Sequence, residues 1–292
     1  MRKENLAGYL LLIPLVALIG VFYVYPIISM SRLSLYTTRF GFGDLKFSGL
    51  RNFVDLQRNP AFKPAIVNSI TWTLVSAIIQ LIIPIGLALM LNQQFRGVSV
   101  ARSLLLIPWV TPAVVIAIMW RWILEPTMGV FNRQMLNIGL FSSRVNFLGN
   151  PKLALITLIC INSLKYIPFG TLLILASLQS ISKSLYEAMM VDGATAWQQL
   201  KYLIMPLINP MIGFMGFLII VWNFNVFDLI QMTTGGGPAN ATITIPVLLF
   251  RTAYRTFNMG QAAALSVIVL VVMFITGGLY FTLVWTRQEE GQ

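Results

Sequence analysis

Asn162, Lys165 and Tyr166 in one apolar run, and Trp222, Asn223, Asn225 and Asp228 in another, are the side chains best placed to do chemistry. Trp222, Asn225 and Asp228 are each three apart, so in a helix they fall near one face, with Asn223 to one side. Asn162 and Tyr166 are four apart and share a face. Polar groups in hydrocarbon are costly, which marks them as functional candidates. Aromatic rings flanked by amides suit a sugar, because rings stack on its C–H faces and amides hydrogen-bond its hydroxyls. Plainer readings stand beside this one. Lys165 and Asp228 could satisfy each other as an ion pair, and Asn225 could hold helices together. Covalent catalysis of the usual kinds is excluded more firmly. The chain has no histidine and a single cysteine, Cys160, placed in an apolar segment as a packing residue. That removes His-based triads, most zinc sites and any internal disulfide, so no catalytic residue and no metal site is expected. No G-x-x-x-x-G-K-[ST] pattern occurs, so the chain binds no ATP through a P-loop.

The elements that must position these residues are long and uncharged. Hydrophobic residues make up 57% of the 292, and charged residues only 10%, against about 25% in a soluble domain. A bilayer core needs roughly 20 apolar residues in a helix. Uncharged stretches run from Asn5 to Ser31, Pro64 to Phe95, Ser103 to Trp120, Leu153 to Ser180 (interrupted by Lys165), Tyr202 to Phe227 and Thr256 to Thr286. The first is too long for the apolar core of a signal peptide and is expected to be retained, kinked at Pro14 and Pro26. A seventh run, Leu229 to Phe250, contains Gly235, Gly236, Gly237 and Pro238, which cannot hold a lipid-exposed helix. It is expected to be a loop, re-entrant or surface-lying, leading into an amphipathic 247–257 segment. The fold class is therefore all-α, a polytopic membrane protein with six transmembrane helices. Its expected organisation is a first transmembrane helix and external loop over 1–64, a transmembrane domain over 65–286 with a polar connector at 182–206, and a tail over 287–292.

The net charge of +11 is spread between apolar blocks, which points to lipid headgroups or an acidic partner protein, not to nucleic acid. Six spans put both termini on one side. If that side is cytoplasmic, Arg2, Lys3, Arg96, Arg102, Lys183, Lys201 and Arg287 lie inside, and the outer loops carry more basic residues than that. The positive-inside count thus runs against this orientation.

The connector decides otherwise. Ser182 or Ser184 can cap a helix start, Gly193 can end that helix in a left-handed turn, and a second helix can follow up to Pro206. The segment reads Glu187-Ala188-Met189, three residues, Gly193, nine residues, Leu203, one residue, Met205-Pro206. It resembles the EAA motif of ABC importer permeases, E-A-A-x3-G-x9-I-x-L-P, with the spacing met in full and conservative departures at Met189, Leu203 and Met205. The resemblance extends to the carbohydrate-type, maltose-transporter-like branch through Ile107–Pro112, Ala176–Ile181, Asn223–Asp228 and Thr234–Pro238. The last two together are similar to the MalF-type subunit of a heterodimeric pair.

That resemblance implies an ABC importer permease fold in which the connector is a cytoplasmic coupling helix docked in a cleft of an ATPase. Glu187, Ala188, Asp192, Gly193 and Pro206 would carry the coupling. It implies a second, MalG-type permease subunit, two ABC ATPase subunits holding ATP and magnesium, and an external solute-binding protein, with no cofactor in this chain. It implies a bacterial-type plasma (inner) membrane location, multi-pass, with both termini cytoplasmic. By position it places a sugar site at Trp109, Lys165, Tyr166, Phe169, Trp222, Asn223 and Val226, beside Ala113 and Ile219; the helical spacing adds Asn225. Ala113, Ile219 and Val226 are apolar where a maltose site can be polar, which argues for a different or smaller ligand. The expected function is import of a sugar or sugar-like solute by alternating access. An ion-gradient-driven secondary transporter is the alternative, and it would need more carboxylates in the spans than Asp228. A membrane-embedded enzyme is a further alternative, disfavoured by the missing histidines.

Overall fold

The computed structural model describes residues 2–37 and 45–282; the expected tail at 287–292 lies outside them. Its helices, in chain order, are α1 (Arg2–Ile19), α2 (Tyr25–Leu33), α3 (Arg51–Gln57), α4 (Phe62–Leu91), α5 (Val98–Leu105), α6 (Ile107–Val110), α7 (Ala113–Ile123), α8 (Val130–Asn137), α9 (Ala154–Gln179), α10 (Lys183–Val191), α11 (Ala196–Gln199), α12 (Met205–Phe224), α13 (Asp228–Thr233), α14 (Ile245–Tyr254) and α15 (Met259–Tyr280). Two short strands, β1 (Tyr36–Thr37) and β2 (Lys46–Phe47), pair antiparallel, with Tyr36 opposite Phe47. Among the described residues, five helical segments are long and apolar enough to cross a membrane, and a sixth if one bent pair counts as a span.

The chain divides into two compact units. Met1–Lys63 with Leu248–Val272 form one, and Pro64–Val247 with Met273–Gln292 the other. In the first, α1 and α2 are joined by a π-helical stretch, Gly20–Val24, where the Tyr25 N–H reaches back to the Gly20 carbonyl. The next residue is Pro26, whose ring would collide with the carbonyl four residues before it in a regular helix; the wider π turn relieves that clash. Buried Asn52 donates to the Ser34 and Tyr36 carbonyls, and Gly260 packs so closely on the Tyr36 carbonyl that a Cβ has no room.

In the second unit, α4, α9 and α12 enclose an apolar core that includes Ala77, Ala88, Ile174, Leu178, Ile208, Met215 and Ile219. Gly170 of α9 marks the closest approach. A Cβ there would meet Met215 Sδ at 3.0 Å and Pro84 Cγ at 3.1 Å. Arg102 donates to the Leu91 carbonyl at 2.6 Å and so caps the end of α4.

Two of the expected spans depart from straight helices. The Ser103–Trp120 stretch is broken, with the helices on either side of Thr111-Pro112 bent by 94°. Pro112 drives Thr111 out of the helical region, to φ −71° and ψ 129°. The Tyr202–Phe227 stretch begins with a π segment, Leu200–Ile204, and its α-helix stops at Phe224, so Asp228 opens α13 instead of extending the same helix face. The glycine-rich run is a loop between α13 and α14. It is tied down by Asn68, which donates to the Asn240 and Ile243 carbonyls at 3.1 and 2.9 Å, and by Ser69, which accepts from the Ile245 N–H at 2.8 Å.

Candidate functional site

The break at Thr111-Pro112 and the end of α12 face each other across α9 and leave a cavity of about 400 Å³. Its wall includes Trp109 and Ala113 from the broken span, Asn162, Lys165 and Tyr166 from α9, and Trp222, Asn225, Val226 and Asp228 at and beyond the end of α12. Phe169 lies one turn below Lys165, between two tryptophans. It stacks on Trp109 at 5.2 Å and 27°, and its centroid is 5.1 Å from that of Trp222. Tyr166 and Trp222 are 6.0 Å apart. The result is a row of four rings, of which Trp109, Tyr166 and Trp222 line the cavity, an arrangement able to hold the C–H face of a ring-shaped ligand.

Lys165 and Asp228 both border the cavity, and no ion pair within 4 Å forms between them. Lys165 Nζ instead donates to the Thr111 carbonyl at 3.0 Å and lies 5.8 Å from the Tyr166 centroid. Pro112 leaves that carbonyl outside the helical ladder, so the ammonium satisfies it. Asn225 turns its amide NH2 to the Val221 carbonyl and Met273 Sδ.

Asn223 is placed differently from its neighbours. It is 2% exposed and lies behind the wall. Its amide bonds Gln80 of α4, Asn162 of α9 and the Ile219 carbonyl of its own helix. Gln80 was not among the residues singled out from the sequence. Its signal was available, as an amide in the middle of the uncharged Pro64–Phe95 stretch.

The connector lies at the other end of α12. From Pro206 to Trp222 is sixteen residues, about 24 Å of helix rise. Ser182 caps α10 through Ser184, and Gly193 ends it at φ +76°. The Gly193 N–H reaches the Met190 carbonyl at 3.1 Å and the Ala194 N–H the Met189 carbonyl at 2.9 Å, the paired bonds of a Schellman turn. Thr195 and Gln198 form a capping box that starts α11. The π segment then ends at Met205, one residue before Pro206, where the Met205 N–H reaches the Leu200 carbonyl. Glu187, Ala188, Asp192, Gly193 and Pro206 are all exposed. So are Leu185, Met190, Val191 and Trp197, with Val191 at 87% and Trp197 at 70%. The inner side of the connector is anchored. Ile181, Tyr186, Leu200 and Met205 pack on the apolar core, and burial pushes the Tyr186 hydroxyl above its ordinary pKa.

A connector of this form on such a bundle is matched by the model of a known family, the binding-protein-dependent transport system inner membrane component, over residues 80–284. The chain belongs to that family. It is 32% identical over 285 residues, 98% of this chain and 94% of the other, to the trehalose/maltose transport system permease protein MalF of Thermococcus litoralis. It is 31% identical over 284 residues to the lactose transport system permease protein LacF of Rhizobium radiobacter, covering 96% and 94% of the two chains. A chain in the crystal structure of a bacterial ABC transporter involved in import of the acidic polysaccharide alginate superposes with a TM-score of 0.82 at 26% identity, over 96% of this chain and 97% of the other. This inner membrane component is thus a multi-pass ABC importer permease subunit, working with a binding protein, and not an enzyme. The ion-gradient alternative is not favoured.

Proposed function

We propose that this permease imports a neutral sugar or sugar-like solute, an oligosaccharide, glycoside or polyol. The observation that carries the reading is the row of Trp109, Phe169, Trp222 and Tyr166 beside a cavity that holds one ammonium, Lys165, and one carboxylate, Asp228. The two charges balance, so a polyanion gains no net attraction there, while hydroxyls find both donors and acceptors. The names of the trehalose/maltose and lactose relatives support the same class. Direct contact is assigned to Trp109, Lys165, Tyr166, Trp222, Asn225 and Val226, with Phe169 supporting the rings. The apolar Ala113 and Val226 favour a ligand with fewer hydrogen bonds than maltose would make.

A second, MalG-type permease would close the open side of this cavity, and an external binding protein would deliver the solute. Two ABC ATPases would dock on the connector, where Leu185, Met190, Val191 and Trp197 offer an apolar face beside Glu187 and Asp192. Exposed tryptophan and methionine on an otherwise polar connector fit a protein contact better than water. This docking makes both termini cytoplasmic, with the transmembrane domain at 65–286 and its coupling segment at 182–206. ATP-driven closure of the ATPases would move α10 and α11 as a lever and open the bundle outward; hydrolysis would reset it.

The test is solute-stimulated ATP hydrolysis by the complete complex with its binding protein, comparing trehalose, maltose and lactose with glycerol 3-phosphate and alginate oligosaccharide. A neutral sugar should stimulate, and Tyr166→Ala and Trp222→Ala should each cut its uptake at least tenfold while its affinity for the binding protein is unchanged. Stimulation by the anions alone, or full uptake by both variants, contradicts the reading.

A further inference from the structure

Three buried amides from three helices make a directional chain that ends at the cavity. It starts from the Ile219 carbonyl, which can only accept. The Asn223 side chain must therefore turn its NH2 toward it, at 2.8 Å, and the same NH2 also reaches Gln80 Oε1 at 2.9 Å. Asn223 Oδ1 is then aimed the other way, where Asn162 Nδ2 donates to it at 2.7 Å and Gln80 Nε2 at 3.4 Å. With one N–H of its amide so engaged, Asn162 keeps its Oδ1, which accepts from no side chain or backbone group among the described residues, for the cavity it lines. Gln80, Asn162 and Asn223 are 2%, 1% and 2% exposed, so water does not compete for these bonds.

An asparagine is nearly symmetric in shape, and a free one can offer either its oxygen or its NH2 to a ligand. We propose that Gln80 and Asn223 are positioning residues that remove this choice: they fix the Asn162 amide with its oxygen toward the cavity, so that the site selects a ligand hydroxyl that donates to it. This rests on the sugar reading above and deepens it. Asn223 acts on the ligand through Asn162, not by touching it.

Deoxyfluoro sugars test this, because fluorine in place of a hydroxyl removes the donated proton and leaves the shape. The complete importer, reconstituted with its binding protein, is assayed for uptake of whichever of trehalose, maltose and lactose it transports, and of that sugar's monodeoxyfluoro analogues. The expected result is one ring position at which fluorine raises KM about tenfold, the equivalent of one lost hydrogen bond. Asn223→Leu should bring that ratio toward one, because Asn162 can then turn its NH2 to the cavity; Gln80→Met, which leaves Asn223 held by the Ile219 carbonyl alone, should lower it part of the way. Gln80→Glu, which keeps an acceptor for Asn223, should preserve it. Asn162→Leu should also abolish the ratio, and adding Gln80→Met to it should change the ratio no further. A ratio that survives in both Gln80→Met and Asn223→Leu, or a KM that rises by the same factor for sugar and analogues in both, overturns the proposal. Uptake of a sugar with no position sensitive to fluorine overturns it too and leaves the sugar reading intact. Uptake of none of the three sugars overturns both.

Discussion

Gly193 offers the sharpest prediction, because its environment isolates one physical term. It sits at φ +76°, and a Cβ added there meets nothing within 4 Å. Any cost of Gly193→Ala is therefore backbone strain and not a clash. An L-residue in the left-handed region costs about 1–2 kcal/mol, which corresponds to roughly a 5- to 30-fold change in an equilibrium. The two Schellman bonds, Gly193 to Met190 and Ala194 to Met189, hold α10 at a fixed angle to α11, and both depend on that φ. If the ATPase recognises this angle, its affinity should fall 5- to 30-fold in Gly193→Ala, further in Gly193→Val because a β-branched side chain tolerates positive φ least, and least in Gly193→Asn, since asparagine visits this region most readily. Binding of the purified ATPase subunit to the permease pair in nanodiscs gives the affinities directly. Wild-type affinity in both Gly193→Ala and Gly193→Val refutes the reasoning. So does an Asn variant as impaired as the Val variant, since the loss would then not follow backbone preference.

Other outcomes follow from the same structure. Glu187→Arg reverses an exposed charge on the proposed docking face and should release the ATPase on co-purification without lowering the melting temperature of the permease. Asn223→Ala strands the buried amides of Gln80 and Asn162, each worth about 1–3 kcal/mol when unpaired, so the nanodisc-bound complex should melt several degrees lower. Gly170→Leu should block assembly of the bundle, as judged by loss of the monodisperse peak in size-exclusion chromatography, because Met215 and Pro84 already stand at 3.0 and 3.1 Å from the added Cβ.

The connector was legible in sequence because its determinants are short-range. A serine cap, a glycine turn and a proline at fixed spacing act within a few residues of themselves. The spans were legible by length and hydropathy for a similar reason. What escaped depends on partners remote in sequence or on local breaks inside apolar runs. Pro108 and Pro112 both lie in the third stretch, yet a length criterion sees one span where Pro112 turns the chain by 94°. Helical spacing put Trp222, Asn225 and Asp228 on one face. The structure does bring them to one cavity, but through a break after Phe224 and not along a continuous helix. Asn223 looked like a neighbour of that face, and only Gln80, 143 residues away, explains why it turns inward. The ion pair offered as one reading of Lys165 and Asp228 is replaced by a bond from Lys165 to the Thr111 carbonyl, which Pro112 set free.

The central claim is ATP-driven import of a neutral sugar through this chain, and uptake into proteoliposomes tests it most directly. The chain is reconstituted with the second permease and the ATPases proposed for it and with the binding protein, with ATP on the ATPase side and no ion gradient. Accumulation of labelled trehalose, maltose or lactose that requires ATP and the binding protein, and that is lost with Trp222→Ala, is the predicted result. Uptake that follows an imposed proton or sodium gradient and persists without the ATPases would contradict it.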